Sequence, residues 1–262
     1  MSVTTVIIEP PAKKLYIVVL FAKCGTRPKA LDARPNAAES ANISQPPSPD
    51  DIALASSLTA KARALASDTV TYPESLFKER LQRIDLSVRE LEDGKNELLQ
   101  KTLIKLFWAG KGLLLVPAAK LYSIMGLPSP YKRNVSEIHS FLILVTERLI
   151  KSDPSVRSTR REVPIGRDGC TVDLLVQMKN GHQRAYEIIH YTITNVSSAA
   201  ARLQGKGFAE IWFVCSDHNQ KEAVRASIKS AGFDPDFTST IRYTIFSSLI
   251  HQHKQTKLKE IQ

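Results

Sequence analysis

The fold is decided by the stretch CTVDLLVQMKNGHQRAYEII, residues 170–189. It predicts two apolar strands joined by a tight turn at 179–181, because an Asn followed by a Gly suits a hairpin loop whose Gly takes a positive φ. With a three-residue loop, residues whose numbers sum to 360 face each other across the strands. Asp173 is then opposite Glu187, so the hairpin would bring two carboxylates together inside apolar surroundings.

Such a pair needs an electrostatic explanation. Two carboxylates about 5 Å apart repel each other by roughly 3 kcal/mol at an effective dielectric constant of 20. A shared proton, a basic partner or a divalent cation would offset this repulsion, and carboxylate oxygens suit Mg²⁺. A two-residue turn of Asn180 and Gly181 would instead place Asp173 opposite Ile188 and turn Glu187 to the other face. Both registers remain open from the sequence.

The flanking pattern predicts an α/β domain. A helix over 135–151 carries one apolar stripe, and three strands follow that form an antiparallel meander. A later strand reaches the same sheet through a helical crossover. The expected order is αβββαβαβ, with strands at 159–165, 170–178, 182–192, 210–215 and 241–246, and later helices at 195–206 and 221–231.

This order resembles the PD-(D/E)XK nuclease-like superfamily, the restriction-endonuclease-like fold. The family places an Asp on the second core strand and an acid on the third, and the matching residues are Asp173 in CTVDLLVQ and Glu187 in RAYEIIHYT. The resemblance covers about residues 135–246. It implies metal-dependent phosphodiester hydrolysis, with Mg²⁺ or Mn²⁺ held by the two acids. The family often adds an acid on the first helix, and Glu137 is the candidate for a third metal ligand; a first-turn acid that complements the helix dipole is the alternative.

One position departs from the family. The acid is followed two residues later by a Lys in the family, and that position is Ile189 here. Some members are similar in carrying the basic residue on the next helix, where Arg202 and Lys206 lie on one face as further catalytic candidates. Lys206 lies between Gly205 and Gly207, so a helix-end cation without a catalytic role is equally open.

A second module is expected before this core. Residues 60–130 predict two helices, a hairpin turning at 110–112 and a third helix, which is the order of a winged-helix-like domain. Ser87 is expected to cap the second helix, with Glu90 completing a capping box. This arrangement resembles the C-terminal parts of DNA-translocating ATPases and replication-relaxation proteins of mobile elements, which also carry a His on the first core helix (here His139). A helical dimerisation or adaptor module is the alternative.

Composition supports a nucleic-acid partner. Lys and Arg outnumber Asp and Glu by 36 to 26, a net charge of +10, and a basic surplus favours a polyanionic partner such as DNA. The leading hypothesis is a DNA-associated protein with a metal-dependent nuclease site, possible partners being a DNA-translocating ATPase or another mobile-element protein. The competing hypothesis is a non-catalytic DNA-binding or adaptor module.

Several function classes are disfavoured. No apolar run is long enough to cross a membrane, no phosphate-binding GxxxxGK[ST] motif is present, and the three Cys lie far apart, so neither a disulfide framework nor a zinc site is expected. A reducing cytoplasm is the expected location.

The sequence also predicts the environment of one histidine and two tryptophans and the division of the chain into segments. His190, three residues beyond Glu187, is expected on the opposite face of its strand and is rejected as a ligand. Trp108 and Trp212 are expected in the core. The predicted divisions are an N-terminal strand segment 1–24, a Pro/Ala/Ser-rich linker 25–59, the winged-helix-like domain 60–130, the nuclease-like domain 135–248 and a frayed basic tail 249–262.

Overall fold

A computed structural model describes residues 48–132, 135–166, 170–190 and 193–261. The predicted N-terminal strand segment 1–24 and most of the predicted linker 25–59 lie outside these residues. Within the described part of the linker, Pro49–Ser56 form a helix, α1, that Ser48 caps. The C-terminal end of the predicted linker is therefore helical, because Pro49 at the first helical position and two acids in the first turn favour a helix.

The helical part that follows α1 contains a β-hairpin. Its elements are α2 (Ala60–Thr71), a 3₁₀ helix (Phe77–Gln82), α3 (Val88–Gln100), β1 (Ile104–Ala109), β2 (Gly112–Pro117) and α4 (Ala119–Ile124). Ser87 caps α3 and Glu90 completes the capping box, as predicted. Leu76 pairs with Leu114 of β2 just before the 3₁₀ helix.

The C-terminal part is a five-stranded mixed sheet with helices on both faces. The strands lie in the order β3-β4-β5-β6-β7; the first three are antiparallel and the last two run parallel to β5. The elements are α5 (Glu137–Lys151), β3 (Val156–Ile165), β4 (Cys170–Met178), β5 (Gln183–Ile189), α6 (Val196–Leu203), β6 (Glu210–Cys215), α7 (His218–Ser230), α8 (Pro235–Ser239), β7 (Ile241–Ile245) and α9 (Phe246–Ile261).

The hairpin of β4 and β5 has the register of a three-residue loop. Leu174 pairs with Tyr186 and Val176 with Arg184, so paired residue numbers sum to 360. The alternative two-residue turn is excluded. The register therefore directs Asp173 and Glu187 toward each other at the end of the pairing.

Two apolar clusters lie on the two faces of the sheet. One is continuous from the helical part through α5 to the sheet and α9, and it includes Leu65, Leu115, Phe141 and Phe246. The other packs α6 and α7 against the opposite face. The first cluster crosses the boundary predicted at 130–135, so the helical part and the sheet are stabilised by one shared core.

Two expectations about surface and core change in the structure. Trp212 is half-buried against the first cluster, but Trp108 on β1 is 61% exposed. The segment predicted as a tail continues α9 to Ile261, and burial of Leu249 and Ile250 in the core explains why the helix persists. In the described parts of the chain, no helix is long and apolar enough to cross a membrane.

Candidate functional site

Asp173 lies where the regular side-chain alternation of β4 breaks. Val172 and Leu175 both pack into the cluster beneath α6 and α7, whereas Leu174 packs on the other face. Two residues three positions apart cannot share a face in a regular strand. The residue opposite Asp173 on β3 is Glu162, whose φ of 47° is rare outside glycine. Both strands therefore distort at this point, and Asp173 occupies the distortion.

The two acids hydrogen-bond to the backbone of each other's strand. Regular pairing between β4 and β5 ends at Leu174 and Tyr186. Beyond it, Oδ2 of Asp173 accepts a hydrogen bond from the backbone N–H of Ile188 at 2.8 Å. The carboxyl group of Glu187 accepts the backbone N–H of Asp173. The acids thus replace ladder hydrogen bonds where the strands separate, which is a structural role in its own right.

Glu187 is the more deeply buried of the pair. It is 7% exposed, and no described residue donates a hydrogen bond to its Oε1 atom. Burial, followed by the negative charge of Asp173, raises the pKa of Glu187 well above its usual range, while Arg202 acts in the opposite direction. The protonated form of Glu187 is therefore favoured, which reduces the repulsion between the two carboxyl groups.

Two histidines flank Asp173. Nε2 of His139 lies 3.2 Å from Oδ1 of Asp173, and the rings of His139 and His190 are 5.2 Å apart. Burial by itself would lower the pKa of His139, but the hydrogen bond and charge of Asp173 outweigh it, so the pKa is raised. Burial, and then the positive charge of His139, lower the pKa of His190 to about 4. The surroundings therefore favour the protonated form of His139 and disfavour the protonated form of His190.

The prediction that His190 faces away from the acids is wrong. β5 ends at Ile189, so His190 lies beyond the strand, where the alternation rule no longer applies. Its ring lines the same pocket as both acids. The end of the strand carries no clear signal in the sequence EIIHYT, since the apolar and aromatic pattern continues past it.

The acids and histidines line one open pocket of about 290 Å³ between α5 and the start of α6. Arg202, a predicted site residue on α6, is exposed and also lines this pocket. Ile189 forms part of its wall, so the position at which the family carries Lys does border the acids. Lys206 is exposed beyond the end of α6 and is not among the residues that line the pocket.

Glu137 makes contacts away from this pocket. Its Oε2 lies 2.6 Å from Nζ of Lys105, and its Oε1 accepts the backbone N–H of Ala119 at 2.8 Å. The expectation of a third metal ligand is corrected here, because the carboxylate links α5 to the β1–β2 hairpin and to the start of α4. Neither partner lies next to Glu137 in sequence, so no local pattern indicates this role.

A different acid lies nearer to the histidines. Glu162 is placed opposite Asp173 by the strand register, and its charge contributes to the raised pKa of His139. Nζ of Lys132 lies 2.7 Å from its carboxylate. Sequence reasoning missed Glu162 because the search for a third acid followed the first helix. Extending the pairing of β4 to β3 would have identified its position, although no residue type indicates its positive φ.

The donor set suits a divalent cation only in part. Within the described ranges, no group of three or more His, Cys, Asp and Glu side chains is arranged to hold a metal ion. Two carboxyl groups do converge, and Glu187 offers a buried oxygen without a hydrogen-bond donor. Oxygens from two acids fit Mg²⁺ or Mn²⁺, which usually keep several water ligands and also accept substrate phosphate.

Comparison with known proteins gives no further information about the function of the pocket. No protein-family model matches the chain, and no match is found among the curated proteins. The functional assignment therefore rests on the geometry of the pocket and on the sequence pattern.

Proposed function

We propose that the chain is a DNA-associated protein whose pocket at Asp173 and Glu187 hydrolyses phosphodiesters with the help of a divalent cation. The observation that supports this most directly is the buried Oε1 of Glu187, which has no hydrogen-bond donor among the described residues and belongs to a carboxyl group whose pKa the negative charge of Asp173 helps to raise. A buried acceptor without a donor costs about 1–3 kcal/mol. A bound cation would remove this cost, and the same cation is what phosphodiester hydrolysis needs.

The residues of the pocket have distinct roles in this proposal. Asp173 and Glu187 would hold Mg²⁺ or Mn²⁺, which supplies Lewis-acid chemistry at the phosphate. His139 fixes the orientation of Asp173 through their hydrogen bond. Arg202 is the cation at the pocket edge that attracts and orients the phosphate. It would take over the role of the family's Lys, whose position is Ile189 here.

The order and direction of the strands support the proposed nuclease-like function. A helix, an antiparallel three-stranded meander, a helix and a parallel strand occur in α5 to β6, as in the nuclease-like family that the sequence resembles. The preceding helices and hairpin are read as the winged-helix-like part. DNA is the proposed partner because of the net charge of +10. A DNA-translocating ATPase or another mobile-element protein is the proposed protein partner, in the cytoplasm.

A non-catalytic DNA-binding or adaptor module is the second candidate. Two specific observations favour it: Ile189 removes the family's Lys from the pocket wall, and no group of three or more metal-binding side chains is assembled in the described residues. In that case the acids serve only to join β4 to β5 through their backbone hydrogen bonds. Cleavage and cation binding distinguish the two candidates.

The test compares the wild type with Glu187→Ala and with the control Glu222→Ala, which removes an exposed acid on α7. Linear, circular, single-stranded and branched DNA are incubated with Mg²⁺ or Mn²⁺, and Mn²⁺ binding is measured separately by calorimetry. We expect cleavage and Mn²⁺ binding by the wild type and the control, and loss of both in Glu187→Ala. Mn²⁺ binding that survives Glu187→Ala contradicts the proposed site. DNA retention without cleavage or Mn²⁺ binding in any of the three proteins favours the second candidate.

A further inference from the structure

The β1–β2 hairpin presents an aromatic side chain to solvent. Trp108 is 61% exposed, although its neighbours in sequence, Phe107 and Ala109, are buried on the other face of the hairpin. Its cross-strand partner Leu113 is half-buried. Large aromatic side chains usually contribute their area to cores or interfaces, so a Trp exposed to this extent indicates a surface that binds something.

The segment around this hairpin carries positive charge only. Between Glu97 and Glu137 the sequence contains no Asp or Glu, and it contains six basic residues: Lys101, Lys105, Lys111, Lys120, Lys132 and Arg133. The charge of Lys105 is compensated by Glu137. Lys111 lies in the hairpin turn, is exposed, and has no ion pair with any described residue. An uncompensated cation is thus three residues from the exposed indole.

An exposed indole and an exposed cation on one hairpin match the chemistry of single-stranded nucleic acid. Every unpaired base offers a flat face on which an aromatic ring stacks, and the backbone phosphate pairs with a basic side chain. In a duplex the base faces are covered by their neighbours, so an exposed indole gains little there. A protein partner would be expected to meet a mixed-charge rim, whereas the hairpin itself, residues 104–117, carries no Asp or Glu.

We infer that Trp108 and Lys111 form a binding site for single-stranded DNA, in which the indole stacks on an unpaired base and the ammonium group contacts a neighbouring phosphate. The site is carried by the hairpin and not by the acid pocket. It rests on the proposed association with DNA, but it requires neither a metal ion nor cleavage.

The chain's two tryptophans make the site directly observable. Trp212→Phe leaves Trp108 as the only indole. This full-length variant is titrated with oligo-dT, with a duplex of equal length and with heparin, all in EDTA. We expect saturable quenching of Trp108 emission by oligo-dT, and much weaker quenching by the duplex and by heparin, because stacking needs an accessible base face.

Affinity measurements complete the test. Since stacking of one base is worth about 1–3 kcal/mol, Trp108→Ala is expected to weaken oligo-dT binding about 10-fold or more, and Trp108→Tyr to weaken it less. Val88→Ala, which removes a side chain that is 65% exposed at the start of α3, serves as the matched control and should leave affinity unchanged. Circular dichroism checks that each variant is folded.

The inference is overturned if oligo-dT does not quench Trp108, if heparin or duplex quenches it equally, or if folded Trp108→Ala keeps wild-type affinity. Self-association of the chain that Trp108→Ala abolishes, without any oligo-dT binding, would assign the surface to a protein partner instead. Loss of cleavage with quenching intact contradicts the proposed function alone. Cleavage without quenching contradicts this inference alone.

Discussion

The imidazole Nε2 of His139 lies 3.2 Å from Oδ1 of Asp173, so the helix α5 positions an acid that lies at the distortion within β4. Asp173 also accepts the backbone N–H of Ile188. Each oxygen of the Asp173 carboxylate therefore has one partner, and the two partners come from different elements. Orientation of this side chain is set by tertiary structure rather than by its own strand.

The hydrogen bond predicts a pH dependence of stability. The pKa of His139 is raised above its ordinary value of 6.5, so the stabilisation is fully present below pH 6.5 and is lost as the pH rises through the raised value. Asp173, Glu162 and His190 are the titratable groups that face this imidazole. His190 acts with the opposite sign in a lower window, because its pKa of about 4 makes stability rise as the pH increases from about 4 toward 6.5.

Urea unfolding at pH 6 and at about pH 9 measures this contribution. Between these two pH values, the free energy of unfolding should fall further for the wild type than for His139→Gln. We expect the difference to be at most about 1.5 kcal/mol, which is the lower end of the range for a hydrogen bond to a charged group. His218→Gln, at an exposed position on α7, is the control and should match the wild type. Equal pH dependence in the wild type and His139→Gln would contradict the assignment.

Glu187→Gln tests the cost of the buried carboxyl group. Because the pKa of Glu187 is raised, its protonated form is stable in the fold, and stability is lost as the pH rises through that raised value. The amide keeps an oxygen for the backbone N–H of Asp173 and cannot ionise. We therefore expect the variant to be more stable than the wild type by about 1–2 kcal/mol at alkaline pH, because it avoids the cost of ionising a buried group beside Asp173, and by less near pH 5.

Added Mn²⁺ should reverse this ranking. A cation that binds only the folded wild type raises its melting temperature, and the rise continues with the logarithm of cation concentration above Kd, whereas Glu187→Gln lacks the charge to hold the cation. Differential scanning calorimetry with and without Mn²⁺ gives the comparison, with Glu222→Gln as the exposed control. Equal Mn²⁺ stabilisation of the wild type and Glu187→Gln would show that the cation binds elsewhere.

Local patterns were sufficient for most of the fold. The Asn-Gly turn limited the register of β4 and β5 to two alternatives, of which the structure has the three-residue loop, and Ser87 with Glu90 indicated the start of α3, because turns and caps depend on residues close in sequence. The continuous core between the helical part and the sheet could not be derived in this way. That core depends on which apolar faces pack against each other, and no short segment of the sequence indicates this packing.

Of the residues at the candidate site, the sequence indicated the two acids at its centre but not the groups around them. The hairpin register identified Asp173 and Glu187, since their meeting follows from one turn. Glu137 was placed wrongly because its partners, Lys105 and Ala119, are distant in sequence. His190 was rejected because strand alternation was extended past the end of β5. The error at His190 arose because alternation holds within a strand, while functional groups often lie where a strand ends or distorts.

Ile189→Lys tests whether the pocket lacks only one cation. Ile189 forms part of the pocket wall, at the position where the resembling family carries Lys. A Lys there would add a positive charge beside the two acids and the phosphate. Because one preorganised donor changes catalytic rates by about 10²–10³-fold, we expect DNA cleavage in Mg²⁺ to rise by about 100-fold.

Ile189→Met is the matched control, since it keeps an apolar side chain of similar volume and should leave the rate unchanged. Thermal unfolding of both variants checks that the half-buried position tolerates the change. If Ile189→Lys is folded and binds Mn²⁺ but cleaves no faster than Ile189→Met, the missing Lys does not limit the reaction, and the non-catalytic alternative gains support.

A buried ion network in the helical part can be used to test whether the helical part and the sheet unfold in one cooperative transition. Arg80 is fully buried, is paired with Asp68, and donates to the backbone carbonyls of Tyr72 and Ser75. Arg83 approaches the same carboxylate at 2.9 Å. Asp68→Asn would leave the Arg80 guanidinium buried without its counter-charge, and breaking a buried pair in this way costs about 3–5 kcal/mol.

Asp93→Asn is the control, because Asp93 pairs with Lys61 at 2.8 Å on the surface, where an ion pair is worth about 0–1 kcal/mol. Guanidinium unfolding is followed by far-ultraviolet circular dichroism and by Trp212 emission in a Trp108→Phe background. Since Trp212 lies on β6 and packs against the shared core, both probes should report one transition, shifted equally by Asp68→Asn. A transition that moves in the dichroism signal but not in Trp212 emission would show that the helical part unfolds independently of the sheet.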